Sequence, residues 1–207
     1  MKQFLEKEFS SHFKFEHTFL DEFNEKEEKI FSSLHLDQAY LNSLHPKRRK
    51  EYIAGRYTLK KLLKDQYKVE EIVFPNKNFS LCHSRKLVLS LQWNSPKIIA
   101  GIGIDAESTE RANFSERKLA FFLSPTELKQ KQHERHDARL KLWCIKEALY
   151  KATPDNDSTR LKDYSLSDFK KLDRGFAHCH KVPELRFSYE TKVYLKNIIA
   201  VATSEKI

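Results

Sequence analysis

The segment from Asp137 to Ala152 restricts the fold most, because its large residues cover two opposite faces of a predicted helix. Helical spacing places five side chains on one face and three on the other: Leu140, Trp143, Cys144, Glu147 and Lys151, against Leu142, Ile145 and Leu149. A helix that is apolar on two sides is typically buried between other elements. We therefore expect this helix at the centre of a folded unit.

Strands and a second helix surround this segment in the sequence. His45-Pro46 opens a run of helix formers that reaches about Tyr67, since proline suits the first helical turn. β-rich runs follow at 71–74, 79–84 and 86–93, the run Lys97–Asp105 predicts a buried strand, and the tail predicts strands at 183–189, 192–195 and 198–203. Ser124-Pro125-x-Glu127 resembles a capping box. A long helix followed by strands in both halves predicts an α+β fold, and the first forty residues predict only short elements.

Composition excludes several classes of protein. The 207 residues are 40% hydrophobic with 4 Gly and 6 Pro, which is typical of a globular chain. The three cysteines are scattered, and neither the start of the chain nor any later run is apolar enough for a signal peptide or a membrane span. We therefore expect a cytoplasmic protein. The net charge of +9 favours an acidic partner of unspecified kind.

Arg56 interrupts the apolar stripe of the first long helix. A buried guanidinium needs a partner, so Arg56 meets a carboxylate in the core, an anionic ligand at its edge, or water reached by its long side chain. Six of the further cations on this helix form either a solvated face or a polyphosphate site: Lys47, Arg48, Arg49, Lys60, Lys61 and Lys64.

Acidic residues stand out against this basic background. Asp105 and Glu107 follow a buried strand two residues apart, so their carboxylates point to the same side. Such a pair suits Mg²⁺, although two acids at a solvated strand end are the simpler interpretation. Glu147 and Lys151 lie one helical turn apart and form either a surface ion pair or part of a catalytic site. His83 alone is more often structural than functional.

Two of these segments together resemble the signature motifs of the 4′-phosphopantetheinyl transferases. Gly103-Ile104-Asp105-x-Glu107 resembles G-I-D-x-E, and Trp143 to Lys151 resembles W-x-x-K-E-A-x-x-K. Upstream, Leu81 to Ser84 is similar to the family segment S-x-S-H-S, and Ala54-Gly55-Arg56 is similar to A-x-R. Cys82 and Ala106 depart from the family pattern, whereas the acidic positions match it.

The resemblance implies an enzyme that moves the phosphopantetheine arm of coenzyme A to a serine of an acidic apo carrier protein and releases 3′,5′-ADP. It implies that Asp105, Glu107 and Glu147 hold Mg²⁺ or Mn²⁺, and that Glu147, Lys151 and His83 are catalytic. The residues that it implies for coenzyme A binding are Arg56, Lys47, Lys60, Lys61, His83, Ser84, Lys146 and Lys151.

Length indicates the longer, surfactin-type members, which resemble two fused units related by a pseudo-two-fold axis. The expected halves are residues 1–97, on the coenzyme A side, and 98–207, with the metal-binding motifs, in one monomer without nucleic acid or membrane partners. Two alternatives stay open at this point. A basic nucleic-acid-binding protein fits the charge, and a Mg²⁺-dependent nuclease or phosphatase fits the acids.

Overall fold

A computed structural model describes residues 1–64, 67–111, 115–130 and 135–207, and these form a mixed α+β structure. The helices of the described ranges are α1 Lys2–Glu8, α2 Glu25–His35, α3 Gln38–Ser43, α4 Pro46–Leu63, α5 Glu116–Phe122, α6 Pro125–Leu128 and α7 His136–Lys151. The strands are β1 Phe13–Phe19, β2 Phe79–His83, β3 Leu87–Trp93, β4 Gly101–Ser108, β5 Tyr164–Leu166, β6 Arg174–Cys179, β7 Leu185–Tyr194 and β8 Asn197–Lys206. In the same ranges, no helix is both long and apolar enough to cross a bilayer.

The strands form two antiparallel sheets. The first has the order β1-β3-β2 and the second has the order β4-β8-β7-β6-β5. In each sheet, an edge strand that precedes the long helix pairs with the last strand of that half, β1 with β3 and β4 with β8. The α+β class predicted from the sequence fits this architecture, and the relation of the halves by a two-fold axis stays a prediction.

Two elements predicted in the first half of the chain differ from the expectation, and the strands predicted at 183–189 and 192–195 are one strand, β7. Helix α4 stops at Leu63, because Lys64 has a φ of 54° and leaves the right-handed helical region. The β-rich run at 71–74 is not a strand, since residues 69–71 form a short 3-10 helix and the next residues are irregular. The capping box at α6 is present as predicted, with Ser124 and Glu127 bonding each other's backbone.

Two glycines let α7 pack directly on β4. A Cβ atom on Gly103 would overlap the carbonyl oxygen of Ala148, and one on Gly101 would overlap that of Ala152. Because side chains alternate along a strand, Asp105 continues the same face of β4 towards α7. The opposite face of β4 carries Ile104, which is fully buried.

The core joins both halves of the chain. Phe15 and Leu89 of the first sheet share one apolar cluster with Ile104 of β4 and Ile199 of β8. Helix α7 is buried on two sides as predicted, with Cys144 and Ile145 both fully inaccessible. The boundary predicted between residues 97 and 98 lies in the connection from β3 to β4, and no feature described here tests the division itself.

We expect Gly103→Ala to lower the free energy of unfolding by about 1–3 kcal/mol, because the added methyl group meets backbone that cannot move without displacing α7. Gly55→Ala in α4 is the matched control, since its methyl group meets only the flexible end of Leu81 and alanine favours the helix. Urea unfolding of both variants measures the difference. Equal effects would show that the contact between β4 and α7 is not close.

Candidate active site

A lysine–carboxylate pair joins α7 to β4. Lys151 Nζ lies 2.8 Å from Asp105 Oδ1 and also donates to the carbonyl oxygen of Ile104 at 3.1 Å. The Asp105 side chain is 9% exposed and that of Lys151 is 28% exposed. Burial alone would lower the pKa of Lys151, but the charges of Asp105 and Glu147 outweigh burial and raise it. Lys151 is therefore a firmly protonated cation at neutral pH.

The second oxygen of Asp105 is a buried acceptor without a hydrogen-bond partner among the described residues. Two buried thiols, Cys82 and Cys144, lie close enough to feel the charge of this carboxylate. Burial, and secondarily the charge of Asp105, raises the pKa of Cys144 well above its ordinary value. Burial likewise raises the pKa of Cys82. All three cysteines of the chain are free, and these two are neutral thiols at physiological pH.

Glu147 stands one turn before Lys151 on α7 and forms no hydrogen bond or ion pair within the described part of the chain. Burial, followed by the charge of Asp105, raises the pKa of Glu147, while Lys151 and Arg111 oppose this rise. A half-buried carboxylate near a second carboxylate favours its protonated form or a bound cation. Glu147 is thus the acid of the site that lacks a counter-ion.

Glu107 differs from Glu147, because a cation already contacts it, and from Asp105, because that cation is an arginine. The guanidinium of Arg111 donates from Nη1 to Glu107 Oε1. The Cζ atom of Arg111 also lies 5.2 Å from the centroid of the Trp143 ring on α7, which is within the range of a cation–π contact.

The donors at this site fit a divalent cation such as Mg²⁺. Asp105 Oδ2 and the Glu147 carboxylate are hard oxygen donors without a positive partner, and two adjacent carboxylates are stabilised by a shared cation. Within the described ranges, no three His, Cys, Asp or Glu side chains already converge as a metal cluster. Glu107 is held by Arg111 instead, so a three-carboxylate site requires that side chain to change partner.

His83 ends β2 beside this group. The hydroxyl oxygen of Ser80 on the same strand accepts a hydrogen bond from the backbone N–H of Ile104 at 3.0 Å, which brings β2 against β4. Arg48 Nη1 lies 3.2 Å from His83 Nε2, so Nε2 is the acceptor and the ring proton is assigned to Nδ1. Burial lowers the pKa of His83, and the charge of Glu51 only partly opposes it. His83 is therefore neutral at physiological pH.

Glu51 organises the cations of α4. Its side chain is 8% exposed, and its carboxylate lies 3.0 Å from Arg48 Nη1, 3.8 Å from His83 Nε2 and 3.9 Å from Lys47 Nζ. These contacts hold the ends of Arg48 and His83 in place. The spacing of three and four residues to Arg48 and Lys47 is a sequence signal that could have identified Glu51.

An open cleft of about 540 Å³ lies between α4, the end of β2 and the end of β4. Its lining residues are Lys47, Arg48, Glu51, His83, Ser84, Arg85, Glu107, Ser108, Glu110 and Arg111. Arg85 is exposed, and no hydrogen bond or ion pair involves it within the described residues. The cleft therefore combines cations from the first half of the chain with Glu107, and such cations suit a phosphorylated ligand.

The order of these acids along β4 and α7 is also the order that a known family shares. Residues 101–199 match the model of the 4′-phosphopantetheinyl transferase superfamily. The match supports that superfamily and a phosphopantetheinyl transferase in general. It spans β4, α7 and most of the second sheet, and so it includes Asp105, Glu107, Glu147 and Lys151. No curated protein matches the chain.

Of the side chains that the superfamily motifs assign to coenzyme A, three line the cleft: Lys47, His83 and Ser84. Ser84 is buried, and its hydroxyl donates to Asn197 Oδ1 at 3.1 Å, which connects β2 to the start of β8. The Ser84 side chain thus contributes a contact between the halves of the chain.

Arg56 lies outside the lining of the cleft. Its Nη1 atom donates to the carbonyl oxygens of Val69 at 2.6 Å and Ile72 at 2.8 Å, and its Cζ atom lies 5.3 Å from the Tyr52 ring and 5.4 Å from that of Phe74. The sequence left a carboxylate, an anionic ligand and water open as partners of Arg56, and the partners observed are backbone carbonyl groups instead. Arg56 thus holds the short 3-10 helix at 69–71 and the residue that follows it.

Lys60 and Lys61 lie about 20 Å along α4 from Lys47, at 1.5 Å per residue. Lys61 Nζ lies 3.2 Å from the carbonyl oxygen of His17 and 3.8 Å from Glu16 Oε1, so it faces β1. Neither lysine is among the residues that line the cleft. The cations that α4 contributes to the cleft are Lys47 and Arg48 of its first turn.

Lys146 is also placed differently from the expectation of coenzyme A binding. Its side chain is 0% exposed, and its ammonium donates to Glu127 and, at 2.8 Å, to the carbonyl oxygen of Tyr164. Lys146 therefore fixes α6 beneath α7. Sequence reasoning missed one signal. Helical spacing places Lys146 on the same face of α7 as Leu142 and Leu149, away from Glu147.

We expect Glu147→Gln to raise the free energy of unfolding at pH 7 in the absence of divalent cations. The raised pKa means that the folded protein binds this proton more tightly than the unfolded chain, so ionising Glu147 lowers stability as pH rises. The difference in unfolding free energy between the variant and the wild type should vanish below about pH 4, where Glu147 is protonated in both the folded and the unfolded protein. Denaturant unfolding at both pH values tests this, and equal stability of the two proteins at pH 7 would contradict it.

Proposed function

We propose that this protein is a 4′-phosphopantetheinyl transferase that moves the phosphopantetheine arm of coenzyme A to a serine of an apo carrier protein and releases 3′,5′-ADP. One observation carries the proposal. The protonated Lys151, paired with Asp105, and the partnerless Glu147 lie within the segment matched by the superfamily and beside a cleft lined by cations. These are the components that phosphoryl transfer needs.

Asp105, Glu147 and Glu107 are the residues that would hold Mg²⁺, or Mn²⁺, in this enzyme. The bound ion would neutralise negative charge on the pyrophosphate of coenzyme A. The residues of the cleft would bind the rest of the nucleotide. Arg48 and Lys47 face it from α4, and Arg85 adds a cation without an internal partner.

In this proposal Glu147 acts as the general base. Its raised pKa brings its basicity closer to neutral pH, which favours proton transfer from the carrier serine hydroxyl. The serine oxygen then forms a bond to the phosphorus that carries the pantetheine arm, and the bond from that phosphorus to the bridging oxygen breaks. The bridging oxygen leaves with 3′,5′-ADP, and the ammonium of Lys151 stabilises the charge that develops there.

The finer assignments are part of the same proposal. The net charge of +9 suits an acidic carrier, of the acyl, peptidyl or aryl type. The length of 207 residues and the two sheets suit a surfactin-type monomer whose halves jointly form the cleft. A cytoplasmic location, as holo-acyl-carrier-protein synthase or a related modifying enzyme, completes the proposal.

We expect the protein to add the mass of a phosphopantetheine group to at least one apo carrier protein when coenzyme A and Mg²⁺ are supplied. Intact-protein mass spectrometry across an acyl, a peptidyl and an aryl carrier measures the transfer. Glu147→Gln should abolish it, with a rate at least about a hundredfold lower, because general base catalysis contributes about 10²–10⁴. A chelator should stop the wild-type reaction.

Unmodified carriers in all three cases would remove this function. Near-normal turnover by Glu147→Gln would remove only the assignment of the base. Release of nucleotides from DNA or RNA, or of phosphate from simple esters, with no carrier modified would favour the nuclease or phosphatase alternative.

Arg85 and Arg56 make a matched pair that separates ligand binding from folding. We expect Arg85→Ala to raise the KM for coenzyme A about three- to tenfold with a smaller effect on kcat, because an exposed cation without an internal partner is available to a phosphate. Arg56→Ala should instead lower the free energy of unfolding by about 1–3 kcal/mol, since it removes the guanidinium that donates to the carbonyl groups of Val69 and Ile72. Steady-state kinetics and urea unfolding of both variants give the comparison, and the reverse pattern would show that Arg56 is the phosphate ligand.

A further inference from the structure

A guanidinium already contacts Glu107, one of the three carboxylates that we assign to the metal. Arg111 donates to Glu107 Oε1, and the side chains of the pair are 31% and 19% exposed, so water only partly screens the contact. The Trp143 ring on α7, 5.2 Å from Arg111 Cζ, gives the guanidinium a second contact. Arg111 is therefore held from two sides, by β4 and by α7.

The three acids of the site differ in what neutralises them. Asp105 has Lys151 on one oxygen and nothing on the other, and Glu147 has no paired cation among the described residues. Glu107 has the guanidinium of Arg111 on its Oε1 atom. A cation that binds Glu107 at this oxygen has to displace the guanidinium.

We propose that Arg111 is a latch on the metal site, a side chain that occupies Glu107 until a divalent cation replaces it. The proposal rests on the proposed function for the identity of the metal ligands. It adds that this chain resists metal binding through its own arginine. The same exchange moves the guanidinium from Glu107 and changes the surroundings of the Trp143 indole.

Titration with MgCl₂ alone, without coenzyme A or carrier, tests the latch by isothermal calorimetry. We expect Arg111→Ala to bind Mg²⁺ about two- to fivefold more tightly than the wild type, which corresponds to the usual strength of a partly exposed ion pair. Lys196→Ala is the control for charge. It removes a cation that lies 2.8 Å from Glu110 of the same cleft and makes no contact with Glu107, so its effect should be smaller.

Fluorescence gives a second measurement that does not depend on activity. The chain has 2 tryptophans, so Trp93→Phe leaves the signal of Trp143 alone. We expect Mg²⁺ to change Trp143 emission in this background and to change it much less when Arg111→Ala is added. Arg111→Ala that binds Mg²⁺ no more tightly than the wild type, or no more tightly than Lys196→Ala, overturns the latch.

Failure of the latch and failure of the proposed function are distinguishable. Carrier modification by a protein whose Mg²⁺ affinity does not respond to Arg111→Ala overturns the latch and leaves the function in place. Tighter Mg²⁺ binding by Arg111→Ala, in a protein that modifies none of the carriers, supports the latch and overturns the function. Circular dichroism melting of each variant confirms that the compared proteins are folded.

Discussion

The close packing of α7 on β4 determines where every acid of the candidate site lies. Because Gly101 and Gly103 have no side chain, the helix backbone approaches the strand directly, and Asp105 meets Lys151 at 2.8 Å. A strand with ordinary residues at those two positions would hold the helix farther away. The ion pair and the half-buried Glu147 carboxylate both depend on this spacing, so a packing constraint sets the chemistry of the site.

Local patterns predict the centre of the molecule well. The two apolar faces of α7 and the buried strand before Asp105 are properties of short segments, and period and hydrophobicity identify them without knowledge of the rest of the chain. The same holds for the capping box at Ser124. Asp105 and Lys151 come together because the elements that carry them must pack against each other.

Periodicity and hydrophobicity do not predict contacts with segments outside the long helices and strands. Arg56 donates to the carbonyl oxygens of Val69 and Ile72, and no periodicity in that segment indicates that an arginine of α4 reaches them. Lys146 shows a different limit. Lysine is rarely buried, and only the position of Glu127, nineteen residues earlier and on a separate short helix, makes its complete burial possible. The motif therefore contains residues with two kinds of task, those that face the site and those that fix α7 from behind.

Charge in the cleft is arranged in pairs rather than as a simple basic patch. Arg48 is held by Glu51, Arg111 by Glu107, and Lys196 by Glu110. Such pairs keep long side chains in defined positions before a ligand arrives, so less conformational entropy is lost on binding. These pairs also weaken ligand binding, because an incoming phosphate or metal ion has to compete with the internal partner. A net charge of +9 thus overstates how freely this cleft attracts anions, and selectivity follows from ligands whose charges replace the internal ones in the right places.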